Sequence, residues 1–105
     1  MEIQLKKGLL EAYVLSILRE GPTYGYKLFD TVAKAIEISS STLYPILRRL
    51  QQQGVLETYQ EQSMGRLRNY YRITESGRKR LEEYKVMCAE VLDLIKAIME
   101  ENNDE

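Results

Sequence analysis

The chain has 105 residues, of which 44% are hydrophobic and 30% charged, with a formal net charge of −1; this describes one globular domain, neither a disordered chain nor several domains. Cys88, the single cysteine, excludes an internal disulfide, and with no histidine there is no zinc-ligand set, no Cys-His pair and no histidine base, so neither metal, cofactor nor catalytic residue is expected. No run reaches the roughly 18 apolar residues of a membrane span, and the first seven residues lack a basic-then-apolar signal layout, so a cytoplasmic protein without a membrane partner is expected.

Residues 8–19 read as a helix with Leu10, Val14, Ile17 and Leu18 on one side and Leu9 and Tyr13 turning away. A surface helix keeps one polar face, so a second apolar side points to a partner or to a central position. Glu20-Gly21-Pro22 stops this helix. Thr23 is placed to cap a second one, running to about Ala35, with Leu28, Phe29, Val32 and Ile36 at helical spacing. Ser39 is the favoured N-cap of a third helix, which runs to Gln53 and ends at Gly54. Its apolar stripe is Leu43, Ile46, Leu47 and Leu50, and its outer side carries Ser40, Ser41, Tyr44, Arg48, Gln51 and Gln52. Pro45 forfeits the bond to the Ser41 carbonyl and should bend the helix or loosen its first turn.

Residues 55–60 and 68–74 switch to a period of two around a polar, glycine-containing loop at 61–67, which predicts a two-stranded hairpin with a basic tip. Strand alternation sends one of Tyr70 and Tyr71 inward, and Tyr71 is the expected core residue. Residues 75–101 return to helix. Leu81, Tyr84, Cys88, Val91, Ile95 and Ile98 form a coiled-coil-type seam, widened by Met87, Leu92, Leu94 and Met99. Residues 102–105 should be a frayed tail.

Charge is segregated along the chain. Residues 1–38 are neutral, residues 39–80 carry eight basic against three acidic side chains, and residues 81–105 carry two against eight. The middle can therefore present a positive surface although the whole is slightly acidic. The carboxylates fall mostly on solvated helix faces, so a carboxylate-dependent hydrolase has no constellation behind it.

Three helices, a hairpin and a long helix give a mainly α fold with a small β-hairpin, the layout of a winged helix-turn-helix domain (residues 1–74) with a C-terminal dimerisation helix (residues 75–101). A third helix with short polar side chains at its start can enter the major groove. Tyr44 and Arg48, one turn apart, are candidates for base or phosphate contact, and Ser40, Ser41 and Thr42 divide between capping and phosphate. Arg66 and Arg68 at the hairpin reach phosphates or the minor groove. Tyr26 either meets phosphate or lies against Phe29. The long helix cannot bury its seam in so small a domain, so a second copy is expected to cover Leu81, Tyr84, Cys88, Val91, Ile95 and Ile98, with help from Leu9 and Tyr13. Cys88 is then a buried small hydrophobe. An effector pocket between helix one and the partner's long helix would involve Tyr13, Tyr84 and Met87.

Gly25-Tyr26, the run Thr42-Leu43-Tyr44-Pro45-Ile46-Leu47-Arg48-Arg49-Leu50, and Gly65-Arg66-Leu67-Arg68-Asn69-Tyr70-Tyr71-Arg72-Ile73-Thr74-Glu75-Ser76-Gly77 resemble the PadR family of transcriptional regulators, over roughly residues 9–83. The length and single last helix resemble its short subfamily. The resemblance implies a homodimeric bacterial repressor that binds double-stranded DNA, released in some members by phenolic or drug-like compounds. Tyr24 stands where the family often has histidine, Ser40-Ser41 where it often has proline and glycine, and no tryptophan is present. The expectation is a sequence-specific regulator of this kind; the alternative is a winged-helix protein-interaction module without DNA binding.

Overall fold

A computed structural model describes residues 3–101; the frayed tail expected at 102–105 lies outside these residues. Helix α1, Ile3–Arg19, starts five residues before the expected position, running through Gly8, because a mid-helix glycine costs only about 1 kcal/mol. Leu10, Val14, Leu15 and Leu18 are buried, while Leu9 and Tyr13 face outward. The backbone N–H groups of Glu20 and Gly21 close the last turn on the Ile17 and Leu18 carbonyls, both at 3.1 Å.

Thr23 does not cap the second helix. Thr23 and Tyr24 form a short strand, β1, whose register sets Thr23 against Tyr71 and Tyr24 against Tyr70. Tyr24 is the N-cap residue of α2 (Gly25–Ala35), with φ −87° and ψ 163°. That extended conformation serves a strand and an N-cap equally, so the chain passes from sheet to helix without a linker. Leu28 and Val32 of α2 are buried, with Phe29 and Ile36 packed beside them.

Helix α3, Ser40–Gln52, follows with Ser39 as its N-cap residue and Leu43, Ile46, Leu47 and Leu50 buried. The Ser39 carbonyl accepts from both Thr42 and Leu43 N–H groups at 3.1 Å. This tightened first turn holds, and the helix runs unbroken through Pro45, whose outward ring meets solvent; the expected loosening is absent. At the other end the N–H of Val55 bonds the Leu50 carbonyl and that of Gly54 bonds Gln51, a Schellman closure.

The hairpin is longer and tighter than its sequence suggests. Strands β2 (Leu56–Ser63) and β3 (Arg66–Ile73) leave only Met64 and Gly65 as the turn. Both turn residues have positive φ, 54° and 78°, the signature of a type I′ connection, for which Gly65 has the needed freedom. With β1 the sheet has three strands in the order β1-β3-β2, all antiparallel, not two. The outer half of the hairpin buries neither face and carries only Met64 and Leu67 as apolar residues, so no hydrophobic alternation marked it.

Helix α4, Glu75–Met99, starts at the N-cap Thr74. The Thr74 hydroxyl accepts from Gly77 N–H at 3.0 Å and donates to the Gly54 carbonyl at 2.7 Å, while Thr74 N–H donates to the Val55 carbonyl. Gly77 is buried at this junction; a Cβ there would collide with the Val55 carbonyl oxygen and lie 2.7 Å from Ile73 Cγ1. The first turns of α4 thus join the core through Leu81, with Tyr84 packed against it. Beyond them the helix projects, and Val91, Leu92, Leu94, Ile95, Ile98 and Met99 are exposed. The molecule is elongated, 66 × 27 × 21 Å. No helix of the described residues is long and apolar enough to cross a membrane.

The α4 junction sets a test. Gly77→Ala should destabilise by about 2–3 kcal/mol, since the obstacle is backbone. Thr74→Ala should cost about 1–2 kcal/mol through the lost cap and the orphaned Gly54 carbonyl. Urea midpoints measured at unchanged m-value check both.

Candidate nucleic-acid interface

The outer face of α3 is built by the burial of its opposite stripe. At 100° per residue, Ser41, Arg48 and Gln52 stand directly away from the core, with Tyr44 leaning towards the wing and Arg49 towards α1. Arg48 is exposed and makes no ion pair among the described residues. Arg49 is held by Glu11 of α1 at 2.8 Å. At the helix start the Ser39 hydroxyl makes no bond to a backbone N–H. It instead meets the hydroxyls of Ser41 at 2.9 Å and Thr42 at 3.2 Å. Ser40 is exposed at this first turn.

Ser41 and Thr42 open on a groove of about 410 Å³ lined also by Lys7, Pro45 and Arg49. Lys7 is a candidate that sequence reading missed, because only the packing of α1 across α3 brings it there. A second cleft, of about 260 Å³, lies on the wing side of α3, where Tyr24, Tyr26, Tyr44, Arg68 and Tyr71 converge. Tyr26, in the first turn of α2, is 72% exposed, so it does not pack away beside Phe29. The Tyr44 hydroxyl lies 3.3 Å from where a Gly25 Cβ would stand; glycine at the start of α2 makes room for that ring.

The two wing arginines differ. Arg66 follows the turn, exposed and without an ion pair among the described residues. Arg68 is half-buried within β3, not at the tip. Its Nε donates to the Ser63 carbonyl at 3.3 Å, and its guanidinium lies 4.2 Å from the centre of the Tyr24 ring. Tyr24, Tyr70 and Tyr59 form a row across the three strands, with Tyr59 and Tyr70 stacked at 5.4 Å and Tyr24 edge-on at 5.7 Å. Arg72 lies over Tyr59 and pairs with Glu57 at 3.0 Å. Tyr71, on the opposite sheet face, packs against the core as expected. Burial pushes its phenol above the ordinary value, helped by Tyr44 and opposed by Arg48.

Along α4, the expected dimerisation residues separate. Leu81 is 3% exposed within the chain's own core, so it is withdrawn from any partner, because α4 uses its first turns to close the winged domain. The free seam begins at Tyr84. Cys88 is exposed in the single chain, since α1 runs beside it but leaves an open groove there instead of packing onto it. A groove of about 430 Å³ runs between α1 and α4, lined by Leu9, Ala12, Tyr84, Met87, Val91 and Ile95 among others. A neighbouring hollow of about 420 Å³ contains Tyr13, Tyr84 and Cys88. The Tyr84 phenol is pushed up by burial and by Glu11, against Arg80 and Arg49.

The raised Tyr71 phenol carries a sign. The folded chain holds that proton more tightly than the unfolded chain, so its stabilising effect is present below the ordinary phenol value, near 10, and is lost as pH rises through the folded value. Tyr71→Phe should therefore flatten the alkaline fall in stability, seen by comparing urea midpoints at about pH 9 and 11.

Known proteins with this arrangement bear on its meaning. Residues 14–83 match the model of the Transcriptional regulator PadR-like family. An uncharacterised protein of Lysinibacillus sphaericus is 33% identical over 99 residues, spanning 90% of this chain and 91% of that protein. A transcriptional regulator of Mycobacterium tuberculosis is 30% identical over 81 residues, 76% of each chain. Among solved structures, a PadR family transcriptional regulator from Eggerthella lenta is similar with 38% identity and a TM-score of 0.80, covering 95% of this chain and 89% of that one. A PadR-like transcriptional regulator from Bacillus cereus has 31% identity and a TM-score of 0.87, with 94% and 99% covered. The chain therefore belongs to the PadR-like family of transcriptional regulators.

Proposed function

We propose that this regulator binds double-stranded DNA in a sequence-specific manner as a homodimeric repressor. The observation that carries this reading is the cleft in which Tyr44 of α3 meets Arg68 of the wing, with Arg48, exposed and without an ion pair among the described residues, one turn along α3 from Tyr44. The α3 face is Ser, Tyr, Arg and Gln, a set that hydrogen-bonds base edges and phosphates and offers a protein partner little to bury. In this reading α3 enters the major groove, Ser40, Ser41, Thr42 and Tyr26 meet flanking phosphates, and the wing grips the adjoining minor groove.

The apolar seam of α4 is covered by α1 and α4 of a second copy. Leu9, Tyr13, Tyr84, Cys88, Val91, Ile95 and Ile98 form a self-complementary contact of the kind a two-fold axis generates. Two such chains place their α3 helices about 34 Å apart, one turn of the duplex. The groove between α1 and α4, closed by the second copy, takes a flat phenolic or drug-like effector beside Tyr13, Tyr84 and Met87. An occupant that shifts α1 against α4 moves Glu11, and with it the Arg49 tether on α3. Repression follows if the operator overlaps a promoter and the effector lowers affinity for it.

Arg66→Ala with Arg68→Ala should weaken binding to all duplexes alike. Four cations lost per dimer should shrink the slope of log K against log salt by up to about 3.6, at 0.9 per phosphate contact. Arg48→Ala or Tyr44→Ala should instead change which sequences are preferred, by about 1–3 kcal/mol at the contacted base pair. Fluorescence anisotropy across a salt series distinguishes the two patterns, and an unchanged double variant would refute the wing's role. Ile95→Lys should turn the dimer into a monomer at micromolar concentration in sedimentation and abolish tight operator binding with it.

A further inference from the structure

We propose that Met64 and Leu67 form an apolar wedge at the tip of the wing, which enters the minor groove and bends the DNA there. The inference rests on the DNA-binding reading above and adds a function for two residues which that reading leaves unused. Met64 has φ 54° and is the only non-glycine among the described residues with a positive φ. The first position of a type I′ turn favours Asn, Asp or Gly, whose side chains tolerate this backbone. A long unbranched thioether has no such advantage. Its side chain is also 88% exposed, the most of any large hydrophobic residue among those described. The position is thus unfavourable twice over, in backbone and in solvation, with no compensating contact inside the chain. Strain held at an exposed tip points to a use outside the molecule.

Leu67 supplies the second apolar group. It lies on the same sheet face as Tyr71 and Ile73, by alternation along β3. The helices cover those two residues but not Leu67, which remains 59% exposed. Arg66 stands between the two apolar side chains in sequence, and Arg68 follows. The occupant is fixed by this setting. Arg68 shares a cleft with Tyr44 of α3, so the base of the wing adjoins the DNA-facing side of the recognition helix. The turn lies three residues further on, about 10 Å at strand rise. A narrow tip carrying two apolar groups and the free guanidinium of Arg66 matches the minor groove, whose floor accepts apolar side chains between base steps and whose walls are phosphates. Prying a step open favours sequences that deform easily, so the wing would contribute preference at positions it does not hydrogen-bond.

The test uses the intact chain and a duplex that it selects from a random-sequence pool, labelled at both ends so that bending is read by energy transfer. Met64→Asn replaces the strained residue by one that suits the turn, so its melting temperature should match or exceed that of the unaltered chain. Its affinity should nevertheless fall about tenfold, with a smaller bend, for loss of a buried methionine. No charge is removed, so the salt slope should stay as it was, unlike that of the Arg66/Arg68 variant. Met64→Leu keeps an apolar tip and should stay within about twofold in affinity, while Leu67→Thr, which suits a strand, should reduce the bend. The proposal is overturned if Met64→Asn binds and bends the duplex like the unaltered chain while the Arg66/Arg68 variant is weakened, an outcome that leaves the DNA-binding reading intact. If the unaltered chain selects no duplex at all, both fall.

Discussion

One small joint couples the parts of this molecule that must act together. The Schellman closure of α3, the start of the wing and the first turn of α4 meet within a few residues. Thr74 bonds backbone on both sides of it, to the Gly54 carbonyl through its hydroxyl and to the Val55 carbonyl through its N–H. Gly77 lets α4 approach until its backbone touches that of Val55, and the Arg80 guanidinium reaches back to the Gln53 side chain. Because most of these contacts engage backbone at close range, they admit little pivoting. The direction in which α4 leaves the core is set by the end of α3. In the proposed dimer, the contact between two α4 helices therefore also fixes the separation and tilt of two α3 helices.

The helices were legible in the sequence because each buries one stripe. Leu43, Ile46, Leu47 and Leu50 have the same spacing on paper as in the core, and the family motifs lie on the elements they were assigned to. Other features depended on partners distant in the chain. Thr23 carries a good capping side chain, yet pairing with Tyr71 across the sheet claims its backbone first. The outer wing gave no periodic signal, since neither of its faces is buried. Arg68 looked like a tip residue, but lengthening of β3 drew it under Tyr24. Leu81 lies on the same seam as Ile95, and periodicity cannot tell a residue that meets its own core from one that meets open solvent. Only the length of the domain along α4 decides that.

Charge has a similar lesson about scale. A formal net charge of −1 would set a uniform sphere against a polyanion. Here the surplus of basic residues sits at 39–80, from α3 through the wing into the first turns of α4, and the surplus of acidic ones at 81–105. The chain extends 66 Å along its longest axis, whereas the screening length at physiological salt is about 8 Å. Charges at the two extremes of so long a molecule are screened from one another.

That separation lets one small chain meet two incompatible demands. On the proposed reading, the surface that meets phosphate has to keep its cations free of internal partners, as Arg48 and Arg66 are among the described residues, while Arg49 and Arg72 are held by Glu11 and Glu57. The apolar seam of α4 needs charges at its rim to keep it from associating indiscriminately, and carboxylates do this without drawing nucleic acid towards the wrong end. Acidic residues spread evenly over the chain would have neutralised the first surface, and basic ones would have made the second bind DNA. On the same reading, segregating them along the chain also orients the approach: in the field of a duplex the molecule is turned with α3 and the wing foremost before any hydrogen bond forms.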